Sequence, residues 1–222
     1  MVDVHHPISR LVVLENTHNR CGGVPLTVAY TQSVGELAHQ CGLRLHLDGA
    51  RIFNAAVVQQ VKASELAAPA DSVTFCLSKG LCAPVGSVLC GTWTFIDQAR
   101  RIRKQLGGGM RQAGVLAAAG IVALQTMIDR LADDHQRAKT LAQGLAQLPG
   151  LILDPVVPHT NMIFLTLSPN VPRSAQQIAE ALLNFGIKIV SSGPRSIRLV
   201  THYWIDDQAV QLTIEAFGKV LQ

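Results

Sequence analysis

Apolar and polar positions change rhythm along the chain. Arg10 to Leu14, Leu43 to Leu47, Ser72 to Leu77 and Ser87 to Cys90 are short apolar runs with β-branched residues, and each reads as a buried strand. Between the first two, Val34, Leu37, Ala38 and Cys41 recur at helical spacing and Gly42 follows as a stop. Strand, helix, strand in that order predicts a parallel crossover. After the glycines at 107 to 109, a stretch from about Arg111 to Leu148, rich in Ala, Leu, Val and Gln, predicts one or two long helices. Beyond Pro149 and Gly150 come short apolar runs at Leu151 to Leu153 and Met162 to Leu167. A helix led by Ser174 follows, with Ile178 and Leu182 inward and Gly186 as its stop. Strands at Ile187 to Val190 and Ile197 to Val200 come next. A last helix from Asp206 carries Val210, Ile214, Phe217 and Leu221 on one face.

This pattern predicts an α/β fold: a large, mainly parallel sheet domain over residues 1–106, connecting long helices over 107–148, and a small α+β domain over 149–222. Composition agrees, with 48% hydrophobic and 15% charged residues, the balance of strands covered on both faces. No run reaches the length of a membrane span and the start lacks a signal peptide's apolar block, so a soluble, cytoplasmic protein is expected, with no membrane partner. A net charge of +4 is too small and too scattered to argue for nucleic acid. Arg100, Arg101, Arg103 and Lys104 read as a solvated helix face, with phosphate binding as the alternative. The five cysteines, Cys21, Cys41, Cys76, Cys82 and Cys90, form no CxxC pair, which points to reduced, mostly buried thiols and no metal site.

The sharpest local feature is LHLDGAR, which puts Asp48 just past a buried strand, at the edge where open α/β sheets bind ligands. A carboxylate there needs a cation or donors; the alternative is that it caps the next helix and pairs with Arg51. In CLSKGLCAPVGSVL, Lys79 follows another strand among small and apolar residues. Burial would lower its pKa and make the neutral amine a nucleophile toward a carbonyl; otherwise it is an ordinary turn residue. Together the two suit pyridoxal 5'-phosphate, which needs a lysine at its aldehyde carbon and a carboxylate at its ring nitrogen.

LENTHN (14–19), LHLDGARIFNAA (45–56), SVTFCLSKGLCAPVGSVL and KQLGGGMRQAG (104–114) resemble, in order and spacing, the motifs of the L-threonine aldolase family, of low-specificity type. The resemblance implies part of the large domain of a pyridoxal-phosphate enzyme of the aspartate-aminotransferase fold type (fold type I). It implies that Lys79 holds the cofactor and Asp48 pairs with its ring nitrogen. Arg51 would lie near the phenolic oxygen and the substrate carboxylate, and Arg198 would give a second carboxylate contact. His5 aligns with a histidine near the substrate's β-hydroxyl, the other reading being a loop histidine. Asn16 and His18 look like site-shaping residues. Arg111 would reach the cofactor phosphate or a neighbouring subunit, the other reading being a helix-start arginine.

The activity implied is retro-aldol cleavage of L-threonine, L-allo-threonine and related β-hydroxy amino acids to glycine and an aldehyde, in a homo-oligomer, dimer or tetramer. The base that takes the β-hydroxyl proton would be His5, a water or the cofactor phosphate. Full members of that family carry a longer N-terminal stretch with a phosphate-binding loop, a ring-stacking histidine and further strands. The chain is therefore expected to be truncated, and the alternative function is a non-catalytic fragment that binds full-length subunits. A different lyase or desulfurase of the same fold type would call for other motifs.

Overall fold

A computed structural model describes residues 4–222. The chain divides into two units: residues up to Thr17 with Leu26–Ile128, and His18–Pro25 with Asp129–Gln222. The long helical stretch is shared between them.

In the first unit, strands β1 (Leu11–Glu15), β2 (Arg44–Asp48), β3 (Ser72–Cys76) and β4 (Ser87–Gly91) form one sheet in the order β1-β2-β3-β4. The first three are parallel, and β4 runs antiparallel to β3. Helix α1 (Val28–Gln40) makes the β1–β2 crossover, and α2 (Ile52–Gln59) with the short α3 (Ala63–Ala67) makes the β2–β3 crossover. Alternation along the strands sends Leu47 and Val73 to one face, where they pack with Ile52, Ala55, Ala56 and Leu66. The opposite face leaves Leu11 and Val13 about half exposed. Helices α4 (Trp93–Gln105) and α5 (Gly114–Thr126) complete the unit. The basic residues of α4 are solvated as expected, yet Trp93, Ile102, Val115 and Val122 on these helices are exposed too.

Helix α1 turns a different side inward from the one its apolar stripe predicts. Thr31, Gly35 and Ala38 are buried, whereas Leu37 and Cys41 are exposed. Close approach decides the matter: a β-carbon on Gly35 would lie 2.8 Å from Cβ of Pro69, so a side chain there would push the helix off. At the amino edge of the sheet, burial pushes the Asp71 carboxyl up. The Leu45 amide, His39 and Arg44 outweigh this and hold it at about 2.

The second unit holds an antiparallel sheet, β5 (Leu151–Leu153), β6 (Met162–Leu167) and β7 (Ser196–Val200), with α6 (Leu131–Ala146), α7 (Ala175–Leu183) and α8 (Asp207–Val220). Ile163, Leu165, Leu167, Ile197 and Leu199 face a core completed by Leu141, Leu145, Ile178, Leu182 and Phe217. The N-terminus of α7 is closed by Ser174 and Gln177 in a capping box, and that of α8 by Asp206. Burial, with Lys139 nearby, lowers His135 on α6 to about 4. The strand expected at Ile187 to Val190 is not formed. Its residues alternate in exposure, but the nearby bridge joins Ser191, just past them, to Ile197. The cysteines also differ from expectation. Cys21, Cys41, Cys82 and Cys90 are exposed and Cys76 is half-buried, because they sit at helix ends, in a turn and on an edge strand.

Among the described residues no single helix is long and apolar enough to cross a membrane.

Candidate functional site

Parallel pairing puts the carboxyl ends of β1, β2 and β3 at one edge of the first unit's sheet. Asp48 there is the register partner of Glu15 on one side and of Thr74 on the other. The chain turns sharply as it leaves β2: the Gly49 amide donates to the Thr74 carbonyl at 2.7 Å and the Asn16 amide to the Asp48 carbonyl at 2.8 Å. A β-carbon at Gly49 would come within 2.7 Å of the Thr74 oxygen, which is why glycine follows the aspartate.

Asp48 is half-buried, and its Oδ1 accepts the Ala50 amide at 3.0 Å. It is not the cap of α2, whose N-cap is Arg51 without a side-chain capping bond. A carboxylate has about four acceptor positions, so the Ala50 bond leaves Oδ2 open to a second donor. Arg51 is half-buried on the same turn, and its amide donates to the Asn16 carbonyl at 3.4 Å. Asn16 is fully buried. Its side chain takes the Leu26 amide at 3.0 Å and gives to the Leu26 carbonyl at 3.1 Å, closing the neck of the loop after β1.

Lys79 lies in the turn between β3 and β4, where the Leu77 amide bonds the Gly86 carbonyl and the Cys82 amide bonds the Lys79 carbonyl. The burial expected of it is absent: Lys79 is exposed while Leu77 and Leu81 on either side are buried. Apolar neighbours therefore bury themselves and leave the amine outward. Arg111 is exposed in a bend ahead of α5, which begins at Gly114. His5 lies in an exposed turn that precedes β1.

Arg198 belongs to the second unit. On β7 it is the register partner of Phe164, on the face away from the core, and its guanidinium donates to the side-chain oxygen of Asn19. The Asn19 contact uses one of five N–H donors and leaves others for an anion. His18 shares this segment, its carbonyl accepting the Gly23 amide at 3.1 Å.

Polar residues that sequence reasoning passed over accompany Asp48. His46, two residues before it on β2, has Nδ1 2.8 Å from the Ser72 hydroxyl and Nε2 3.5 Å from the Thr74 hydroxyl. The signal was present as period-two alternation of His46 and Asp48 with Leu45 and Leu47. Two hollows of about 500 and 440 Å³ line β4 and α4, but their walls are mainly apolar, with Leu89, Ala99 and Arg103 in both. They do not contain Asp48 or Lys79.

A pyridine ring with an aldehyde and a phosphate asks for a carboxylate, an amine and an anion site. Asp48 with an open oxygen at the end of β2, and the accessible Lys79 amine in the turn that follows β3, fit the first two. Arg111 is the candidate for the third.

Residues 1–168 match the model of the beta-eliminating lyase family. The chain is 44% identical over 216 residues to low-specificity L-threonine aldolase 1 of Arabidopsis thaliana, covering 97% of this chain and 60% of that protein. It is 40% identical over 200 residues to the low specificity L-threonine aldolase of Escherichia coli K12, covering 90% of this chain and 57% of that protein. The chain thus spans about three fifths of the length of the curated relatives it matches. Its fold matches the threonine aldolase of Leishmania major with a TM-score of 0.77 at 21% identity, covering 100% of this chain and 64% of that one. The architecture is accordingly part of the fold type I α/β arrangement expected from the motifs. On the extent of the family match, this chain belongs to the beta-eliminating lyase family.

Proposed function

We propose that this chain carries the cofactor lysine and the ring-nitrogen carboxylate of a pyridoxal-phosphate-dependent aldehyde-lyase that cleaves L-threonine, L-allo-threonine and related β-hydroxy amino acids to glycine and an aldehyde. The observation that carries this reading is that Asp48 ends β2 while Lys79 lies in the turn that leaves the carboxyl end of the adjacent parallel strand β3. Its relatives named low-specificity L-threonine aldolases support the substrate class.

When bound, the cofactor supplies a carbonyl that captures amines and a ring that accepts an electron pair. Lys79 holds it through its amine. Asp48 keeps a proton on the ring nitrogen, and the Ala50 amide fixes the direction of its carboxylate. Arg51 binds the substrate carboxylate, and Arg198 is a further carboxylate ligand by resemblance. His5 is the candidate to take the β-hydroxyl proton as the Cα–Cβ bond breaks. Arg111 is the candidate phosphate ligand. A homo-oligomer is the proposed assembly.

Borohydride treatment of the protein mixed with pyridoxal phosphate, followed by peptide mapping, tests the central assignment. Label on Lys79, lost in Lys79→Ala, is expected. Label on a different lysine, or none, overturns it.

A further inference from the structure

We propose that residues 187–190 are a strap that closes onto the free edge of β7 when an anion lies between Lys188 and Arg198. On the reading of Arg198 as a carboxylate ligand given above, that anion is the substrate carboxylate.

Bonded pairs alternate along an antiparallel ladder. Between β6 and β7 the Leu167 amide donates to the Arg195 carbonyl and the Thr201 amide to the Asn161 carbonyl. Odd-numbered residues of β7 therefore turn their backbone toward β6, and even-numbered ones turn it toward the open edge. The chain that leads into β7 runs back along that edge. The Ser192 amide donates to the Ser196 carbonyl at 2.8 Å and Ser191 bridges Ile197 in the antiparallel sense, which sets a register. Carried further, it puts Val190 opposite Arg198, Ile189 opposite Leu199, Lys188 opposite Val200 and Ile187 opposite Thr201. The side chains already face as that register requires. Ile187 and Ile189 pack on the core that Leu199 also faces, while Lys188 and Val190 are exposed. The backbone pair of Lys188 with Val200 is nevertheless unmade. A hollow of about 430 Å³ lies there, with Ile187, Lys188, Ile189, Leu199, Val200 and Thr201 among its walls.

Closing the strap would give the half-buried Val200 backbone the hydrogen bonds that its edge position lacks. Charge opposes it. In the closed register Lys188 is the diagonal neighbour of Arg198 on the same sheet face, and like charges at that spacing repel. Neutral neighbours do not offset this: Asn19 binds the guanidinium through an amide oxygen, and Phe164 lies level with Arg198 on β6. An anion held between the two cations removes the repulsion, so binding and closure favour each other.

Amide exchange, followed by NMR in the chain loaded with pyridoxal phosphate, tests this with glycine as the carboxylate probe. Exchange at the Val200 amide is expected to slow by about threefold or more on adding glycine, the scale of a favourable cross-strand charge pair. Lys188→Gln is expected to abolish the slowing and Lys188→Arg to keep it, with circular dichroism checking that both are folded. The cofactor's visible absorbance reports separately whether glycine binds. If the spectrum responds to glycine while Val200 exchange does not, or if the slowing persists undiminished in Lys188→Gln, the strap is overturned and the function stands. A spectrum that ignores glycine, or a chain that takes up no cofactor, overturns both.

Discussion

The two units spend their apolar residues differently. In the second, the inward residues of β6 and β7 and those of α6, α7 and α8 enclose one core, and Phe217 at its centre is fully buried. In the first, one sheet face is packed against α1, α2 and α3 while the other exposes Leu11 and Val13, and α4 contributes no buried residue at all. The edge that holds the proposed site belongs to the less enclosed unit. Parallel strands that end together place polar groups side by side whether or not both faces are covered. Stability and site geometry are thus set by different parts of this chain.

The largest effect expected from that contrast is on two phenylalanines. Phe217→Ala should destabilise the second unit by about 3–5 kcal/mol, since it empties a closed core, whereas Phe95→Ala on α4, at a site 38% exposed, should cost far less. Amide exchange in α8 and α4 reads each unit separately, and equal losses would break the comparison.

His135 gives the next largest. Its value falls from 6.5 to about 4 on folding, so above pH 6.5 both states are neutral and nothing changes. As pH drops from 6.5 toward 4 the unfolded chain takes up a proton that the folded one refuses, and stability falls by on the order of 3 kcal/mol. Urea midpoints across that range should slope downward toward acid for the native chain and flatten in His135→Gln. A slope that survives the substitution would assign it elsewhere.

At the sheet edge the loss should appear in chemistry. Asp48→Asn is expected to reduce aldol cleavage at least tenfold in turnover, about 1.4 kcal/mol, with a smaller change in stability. Turnover within a few-fold of native would reduce Asp48 to a turn-stabilising residue. The smallest effect belongs to the uncovered face: Val13→Thr should move stability by no more than about 0.5 kcal/mol while reducing self-association measured by sedimentation.

The strands at 11–15, 44–48, 72–76 and 87–91 were legible because apolar runs bounded by turns leave little choice of element. Ser174 and Asp206 were legible as helix starts because capping is a local bond. The inward side of α1 was not, since it depended on Pro69 arriving against Gly35 from a later crossover. Nor was the exposure of Lys79, because apolar neighbours in sequence say nothing about which way a turn residue points.

The sequence by itself determined the α/β class, the order of an early parallel sheet before a late α+β unit, and the choice of Asp48 and Lys79 as the candidate pair for the chemistry proposed here. Those follow from periodicity and residue type, which are local. Tertiary structure alone decided that Ser72 and Thr74 meet His46, that Asn16 closes on Leu26, and that Arg198 is engaged by Asn19. Each joins residues that are not neighbours in the chain, and forms only when strand register and loop path bring complementary donors and acceptors within hydrogen-bonding distance.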